Sequence, residues 1–555
     1  MTVPPPSTLH INLAALDRVQ PQLARRLRWS VASDHVLRQA DGSVVLKTGA
    51  VPQPLQFAPR ALVHRLHEAH PPKAVFAFGV GLGESVETAL RFWPDATVTA
   101  WDRDPWMLRL LLSRGDFSRA LLTRRLRLLL GADLLEVDPT TAGKLVEHPT
   151  LVEVYRHEKK AWLATPPRNI ALICTQGLFV NDVCRVLRER GFTPWTLEAE
   201  RVDTLEFEHT LQQVHPTFAV AINQVVGLPE AVDAAGIPLL TWEIDPAVDW
   251  LPVPRHPVPR SHLFSFRRAV ADTLADSGHG SVHWLPLAAP AHRRPVDPTD
   301  EDRARFEAPV SFVGTSMTGR ARPYARKVHR ELRAWLHQHD RPPQQAAGLV
   351  QTVLASQRAN LDRWLVPELL DTHCPGFRTW CEQTGRPSDP ALLLGELPAA
   401  EHRLKAVAAL APFGVHVWGD PGWNALESAG VTVRGFAGHF RALTRIYALS
   451  RINIDIGRLY QPDIVTMRVY DVLACGGFLL AAHSDELEDL FEVGVEVESW
   501  STRAELVDKV RYYLANPDKA DTIARRGHAA VLERHRVDQR VDRMLAVSGL
   551  VPQDG

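Results

Sequence analysis

Arg468 and Asp471 stand about one helical turn apart, just ahead of a glycine pair, Gly476-Gly477. An arginine and a carboxylate on a helix that opens toward a crevice, with glycines behind them admitting close backbone approach, suit a nucleotide diphosphate held without a metal. The surrounding residues 451–491 read as the elements that would position them. INIDI alternates apolar and polar residues, as a half-buried strand does. MRVYDVLA has helical spacing and stops at Cys475, and FLLAA is a short apolar run of buried-strand type.

A second constellation lies near the N-terminus. Gly79, Gly81 and Gly83 alternate directly after the apolar run AVFAF, and Asp102 closes the next such run. An acid about 20 residues past a glycine loop is the spacing of dinucleotide and S-adenosylmethionine pockets. Asp102 and Asp104 also make an Asp-x-Asp pattern of the metal-binding kind, but the glycines upstream favour the nucleotide-pocket acid. Asp300 and Asp302 repeat the pattern in a polar linker and read as solvated surface. His64, His67 and His70 share one helix face, yet no acid or cysteine completes a ligand set, so exposed helix histidines are the simpler account.

Strands alternating with helices at this spacing imply parallel sheets. Residues 1–165 form a first βαβ unit and residues 168–300 a second, whose apolar runs include FAVAIN and IPLLTWEIDP. Residues 301–555 form a third, opened by the strand APVSFV running into Gly314 and continued by VHVW ending near Gly419. Residues 321–405 are rich in Arg and Leu with helical periodicity, and read as a helical insertion. Residues 504–545 are helical with a break at Asn516-Pro517.

The run Arg468-Val-Tyr470-Asp471-Val-Leu-Ala-Cys475-Gly476-Gly477, followed by an apolar strand and an acidic segment ending at Phe491, resembles the C-terminal signature of the CgeB-like (spore maturation protein) glycosyltransferases. These are a GT-B group related to the group-1 glycosyltransferases. The family usually has Glu where this chain has Asp471, so charge is kept and reach shortened. In group-1 enzymes the second acid of a Glu-x7-Glu pair is thought to hold the donor ribose; Asp463 and Asp471 offer that spacing as Asp-x7-Asp.

The resemblance implies an α/β chain whose last two units are a GT-B pair of Rossmann-like domains, acceptor lobe then donor lobe. It implies a nucleotide-sugar donor and no required cofactor or metal, because GT-B enzymes meet the leaving diphosphate with helix N-termini and cationic side chains. The donor-binding residues would be Gly314, Thr315, Arg320, Lys327, Gly419, Asp463, Arg468, Tyr470, Asp471, Gly476 and Gly477. For Arg320 and Lys327 a solvated helix face is the alternative. Catalysis would fall to Arg468, Asp471 and Asp245, which ends a strong apolar strand and could orient an acceptor hydroxyl or act as general base. Capping the turn before Pro246 is the bland reading of Asp245. Gln176, Gly177 and Asn181 follow the first strand of the second unit, where a loop would face an acceptor.

The first unit resembles the class I methyltransferases in its glycine loop and Asp102. It has Ala77 where active members carry an acid, and no Pro-Pro-Tyr-type motif follows. His148-Pro149 and residues 151–155 are similar to the methyltransferase-like domain of flagellar-accessory glycosyltransferases, which implies a degenerate domain.

Bulk properties bound the rest. Apolar content of 45% over 555 residues is that of a globular chain of about three domains. A formal net charge of -1 implies no general attraction to nucleic acid or to a membrane surface. Five cysteines with no C-x-x-C argue against a disulfide framework or a zinc site. No signal peptide and no apolar run near membrane-spanning length is evident, so a cytoplasmic enzyme is expected. Glycosyl transfer to a cell-surface glycan or protein leads. The alternatives are an S-adenosylmethionine-dependent methyltransferase acting through the first unit and a non-catalytic GT-B-like scaffold.

Overall fold

A computed structural model of the chain describes residues 7–28, 36–39, 41–47, 52–56, 71–164, 169–245, 258–276, 280–361, 363–385, 389–438 and 440–550. The histidines at 64, 67 and 70 lie outside the described residues. The chain divides into two compact units, Met1–Thr241 with Val258–His262 and Leu545–Gly555, and Trp242–Pro257 with Leu263–Met544.

The first unit begins with two helices, Thr8–Val19 and Pro21–Leu27, followed by a small antiparallel sheet of β1 (Val36–Arg38), β2 (Val44–Leu46) and β3 (Gln53–Pro54). A parallel sheet follows, ordered β6-β5-β4-β7, from β4 (Ala74–Phe78), β5 (Thr97–Asp102), β6 (Leu126–Leu130) and β7 (Lys144–Glu147). Parallel strands are covered on both faces, hence their continuous apolar runs. An aromatic stack of Phe76, Phe78, Trp101 and Trp162 anchors this core, with Phe78 and Trp101 centroids 4.5 Å apart. Next along the chain, β8 (Ile170–Ile173) pairs in parallel with β9 (Thr193–Thr196) on one side and β10 (Phe218–Ile222) on the other. β11 (Leu239–Glu243) is the strand in which the chain passes from the first unit to the second.

In the second unit β12 (Ser261–Ser265) pairs in parallel with β13 (Val282–Trp284) from Leu263 onward. The main sheet comprises β14 (Ala308–Val313), β15 (Val415–Trp418), β16 (Thr432–Val433), β17 (Ser450–Ile454), β18 (Leu479–Ala482) and β19 (Glu498–Trp500). Its order is β16-β15-β14-β17-β18-β19, all parallel. That is the doubly wound Rossmann order, which reverses direction between its first and fourth strands, β14 and β17. Val310 sits opposite both Val415 and Ile452, so β14 is the central strand.

Among the described residues five α-helices stand between β14 and β15: Thr318–Gln338, Gln345–Ala359, Val366–His373, Phe377–Gln383 and Pro390–Ala409. They are the expected insertion, and they carry a core of their own that includes Leu332, Trp335, Val353, Leu370, Phe377 and Leu394. The tail is three helices, Arg503–Ala515, Pro517–Arg534 and Val537–Val547, so a second break at His535 joins the one at Pro517.

Two expectations are corrected. β17 is not half-buried: Asn453 and Asp455 are as buried as their apolar neighbours. A central strand has no solvated face, and the alternation marks polar residues with internal partners. Asn453 accepts from Ser311 Oγ at 2.9 Å and donates to the carbonyls of Tyr447 and Phe478 at 3.1 Å. Asp302 is not solvated surface either. It closes a capping box with Thr299 and meets Arg445 Nε at 2.5 Å.

Candidate active site

The carboxyl ends of β14 and β17 meet at the switch point, and two arginines brace them. Arg468, in the first turn of the helix Met467–Ala474, donates from Nε at 2.9 Å and from Nη2 at 2.5 Å to the Val313 carbonyl. Its Nη1 pairs with Asp455, which also accepts from Thr466 Oγ1 at 2.9 Å. Arg403, on the last helix of the insertion, donates to the carbonyls of Thr315 and Ile456, both at 3.0 Å. Burial works against the Arg468 charge, but Asp455 outweighs it and the pKa is raised. Arg403 has no carboxylate of its own: burial, then Arg468 and Arg458, push it down to about 10.

Gly314 is required here, since a Cβ would lie 2.9 Å from Arg468 Nη2. The loop after it does not present a free phosphate cradle. Asp420 accepts from the Ser316 backbone N–H and hydroxyl, each at 2.6 Å, and from the Gly422 N–H at 2.9 Å. A Cβ on Gly419 would overlap the Gly314 carbonyl. Gly419 therefore serves loop-on-loop packing, with the Asp420 carboxylate taking the amide at Ser316 that an anion would use.

Beside the switch point, the carboxyl ends of β17, β18 and β19 open into a cavity of about 460 Å³. Arg458 and Gly457 come from the loop after β17, His483 and Ser484 from the loop after β18, and Trp500 from β19. The insertion contributes Arg363, Trp364 and His402. His402 stacks on Trp500 at 6.0 Å, and Trp500 Nε1 donates to the Asp455 carbonyl at 3.2 Å. Arg458 reaches Gln461 Oε1 at 3.3 Å. Neither Arg363 nor Arg458 forms an ion pair with a described residue. The cavity thus combines two available guanidinium groups with two indole rings, a set suited to phosphate oxygens and to an aromatic ring.

None of the other sequence-predicted residues lines this cavity, although Asp463 stands between two that do, Pro462 and Ile464. Gly476, at φ +76°, is the left-handed residue ending the helix Met467–Ala474. A Cβ on Gly477 would overlap the Tyr447 carbonyl. Both glycines sit at the amino end of β18, the far end of the sheet from the crevice, so the close approach they permit is to protein. Tyr470 is fully buried among Phe491 and His535. Asp471 is buried against Arg293, with Nε 3.1 Å from Oδ1; burial raises its pKa and Arg293 opposes that rise. Asp463 takes Arg267 in a two-pronged ion pair at 2.9 and 3.0 Å. Arg320 is exposed and Lys327 half-buried on the first insertion helix, and neither pairs with a described residue. Thr315 is exposed at the switch point, and Asp245 is exposed just past β11.

In the first unit the glycine loop is already covered. His148 lies on it, so a Cβ on Gly81 would come within 2.5 Å of the imidazole; one on Gly79 would come 2.8 Å from Leu151 Cβ. His148 Nδ1 accepts from the amides of Thr150 and Leu151 at 3.2 Å, which leaves the proton on Nε2, 3.1 Å from the Leu55 carbonyl. Asp102 accepts from the Val80 N–H at 2.9 Å and the Tyr155 hydroxyl at 2.7 Å, and burial together with Asp104 pushes it up to about 7. Asp104 is held by Arg103 at 2.9 Å. Among the described residues no group of three or more acid, His or Cys side chains is placed to hold a metal ion.

Arg403, Asp455, Arg458 and Trp500 were not singled out from sequence. Asp455 had a signal, as the acid within INIDI. Arg403 had none, because a buried arginine on a helix rich in alanine and leucine has no distinguishing spacing.

Residues 400–546 match the family model described as glycosyl transferase-like, and that stretch carries Arg403, Asp455, Arg458 and Arg468. The C-terminal unit is that of a glycosyltransferase, on an α/β fold with parallel Rossmann-like sheets. Among solved structures the chain is similar to sucrose-phosphate synthase from Thermosynechococcus elongatus, with 11% identity, TM-score 0.39, and coverage of 68% of this chain and 97% of that one. It is similar to HepE of Anabaena in complex with UDP, with 11% identity, TM-score 0.40, and coverage of 68% and 99%. A glycosyltransferase from Rickettsia africae aligns at 8% identity and TM-score 0.40, over 87% and 99%. No curated protein sequence matches the chain. None of the described helices is long and apolar enough to cross a membrane.

Proposed function

We propose that the protein moves a sugar from a nucleoside diphosphate to a cell-surface glycan or protein acceptor, in the cytoplasm, by a metal-independent GT-B mechanism of CgeB-like type. Residues 168–300 serve as the acceptor lobe and 301–555 as the donor lobe in this reading, with 1–165 a degenerate methyltransferase-like domain. The observation that carries it is the cavity at the carboxyl ends of β17–β19, where Arg363 and Arg458 stand without ion-pair partners among the described residues beside Trp364 and Trp500.

As the glycosidic bond breaks, negative charge grows on the departing diphosphate. Guanidinium groups already positioned around it stabilise that charge more than they stabilise the bound donor, and only this difference lowers the barrier. Arg458 and Arg363 supply that contact, and an indole ring stacks the base. Arg468 and Arg403 act one step removed, holding the ends of β14 and β17 in register. Asp245, exposed beyond β11, is the candidate base for the acceptor hydroxyl.

Thermal unfolding with a panel of nucleoside diphosphates and nucleotide sugars tests this, since a ligand of the native state raises the midpoint. One nucleoside diphosphate should raise it, and the rise should vanish in Arg458→Ala. A panel with no effect would sink the reading. A non-catalytic scaffold is the second reading, favoured by the locking of Asp463 and Asp471 in ion pairs. Release of nucleoside diphosphate from a nucleotide sugar, in water alone, separates the two.

A further inference from the structure

The carboxyl ends of β8, β9 and β10 enclose a second cavity, of about 220 Å³, wholly within the first unit. β8 has β9 on one side and β10 on the other, so the chain leaves β8 in one direction and crosses back to lay down β10. The crevice between β8 and β10 is therefore this sheet's own switch point, where open α/β sheets bind ligands. Its floor is apolar, with Cys174, Ile222 and Val225. Its rim is Gln176, Glu198, Glu200, Arg201, Asn223 and Gln224.

Three observations define what would fit. Gln224 Nε2 is shielded from solvent and finds no partner among the described residues, although buried amide donors are nearly always paired. It is a donor in want of an acceptor oxygen. Asn223 holds φ at +65°, a conformation non-glycine residues seldom adopt and which clusters at ligand sites. That end of β10 is pinned by the Ile222 N–H donating to Thr175 Oγ1 at 2.8 Å. Finally, Arg201, the rim cation among the described residues, is committed to Glu198 at 2.9 Å; Arg103, behind the rim, lies 3.7 Å from Glu198 but is itself held by Asp104 at 2.9 Å, while Glu200 has no ion-pair partner among the described residues. The carboxylates Asp104, Glu198 and Glu200 thus outnumber the two arginines and repel an anion. Amides and carboxylates together give and take hydrogen bonds with neighbouring hydroxyls. The volume is below the roughly 300–1,000 Å³ of sites for drug-sized ligands, which suits one ring rather than an oligomer.

We infer that this cavity binds a single neutral sugar through its hydroxyl groups. Its role as the seat of the acceptor sugar rests on the transferase reading, whereas the binding itself does not.

The test is saturation-transfer NMR on the full chain, with methyl glycosides of glucose, galactose and N-acetylglucosamine as neutral probes and glucuronate and glucose 6-phosphate as anionic ones. At least one neutral glycoside should give a signal that falls tenfold or more in Gln224→Leu, while the anionic probes give none. Glu200→Ala, at an exposed position that leaves folding intact, should weaken the neutral probe and admit glucuronate. Silence from every neutral probe, equal signals from anionic ones, or a signal indifferent to both substitutions would overturn the assignment. Nucleoside diphosphate binding, measured on the same samples, should be unchanged in both variants. If the unaltered chain binds no nucleotide, the transferase reading fails and the sugar cavity is judged on its own signals.

Discussion

Arg293 Nε lies 3.1 Å from Asp471 Oδ1, and neither side chain reaches solvent. Asp471 is the acid that its motif would assign to the donor ribose, and here it neutralises an arginine from the segment that leads into the Rossmann sheet. The two roles make different predictions. Removing one partner of a buried pair leaves an uncompensated charge and costs about 3–5 kcal/mol. Asp471→Ala should therefore lower the urea midpoint strongly, and donor affinity, measured where the variant is still folded, should change little. Unaltered stability with a large loss of donor binding would return Asp471 to the ligand.

Arg458 should behave in the opposite way. It is half-buried on a loop and holds no ion pair among the described residues, so Arg458→Ala should leave stability within about 0.5 kcal/mol. A lost charge-assisted hydrogen bond of about 1.5–3 kcal/mol corresponds to a rise in donor Kd of roughly 10- to 100-fold. Calorimetric titration with the nucleoside diphosphate found by the thermal screen reads this directly. Unchanged affinity would move the diphosphate elsewhere.

Asp102 predicts a pH dependence. Its carboxyl is pushed up to about 7 by burial and by Asp104, from an ordinary 3.8. The folded chain therefore binds a proton that the unfolded chain has already released at intermediate pH. The contribution to stability is complete below about pH 4 and is lost as pH rises through about 7. Asp102→Asn cannot titrate. The difference in unfolding free energy, wild type minus variant, should fall by a few kcal/mol, on the order of 4, between pH 4 and pH 8. Parallel pH curves would show that Asp102 is ionised throughout.

S-adenosylmethionine should not bind. His148 and Leu151 occupy the space over the glycine loop, and Tyr155 takes the Asp102 oxygen that a ribose would need. Millimolar S-adenosylmethionine should give no heat in calorimetry and no shift in unfolding temperature. A clear shift, abolished by Gly81→Val, would revive the methyltransferase alternative.

The alternation of strand and helix was legible because many of the parallel strands are compact apolar runs ending in a glycine or an acid, as β4 does at Gly79, β5 at Asp102, β14 at Gly314 and β15 at Gly419. The site was less so. Arg468 was found because its motif is local, but its neighbours Val313, Asp455 and Arg403 come from three separate segments whose meeting depends on strand order. The glycines at 476 and 477 were read for a ligand because a sequence gives a glycine's freedom but not its neighbour. Strand polarity decides that neighbour: residues that begin β18 cannot serve a crevice at its other end. Asp420 shows the same limit, since nothing in the spacing says that a carboxylate from the next strand's loop would take the amide at Ser316.

The helical insertion parts β14 from β15 in the chain while its ends lie beside them in the fold. A crossover of this kind is tolerant, because lengthening a closed loop costs little once its interior has a core of its own. Yet Arg363, Trp364 and His402 wall the cavity and Arg403 clamps both central strands. The insertion is thus an exchangeable cassette bearing one wall of the pocket. Ligand preference can diverge between related chains through this cassette alone, while the strands beneath keep their order and their register.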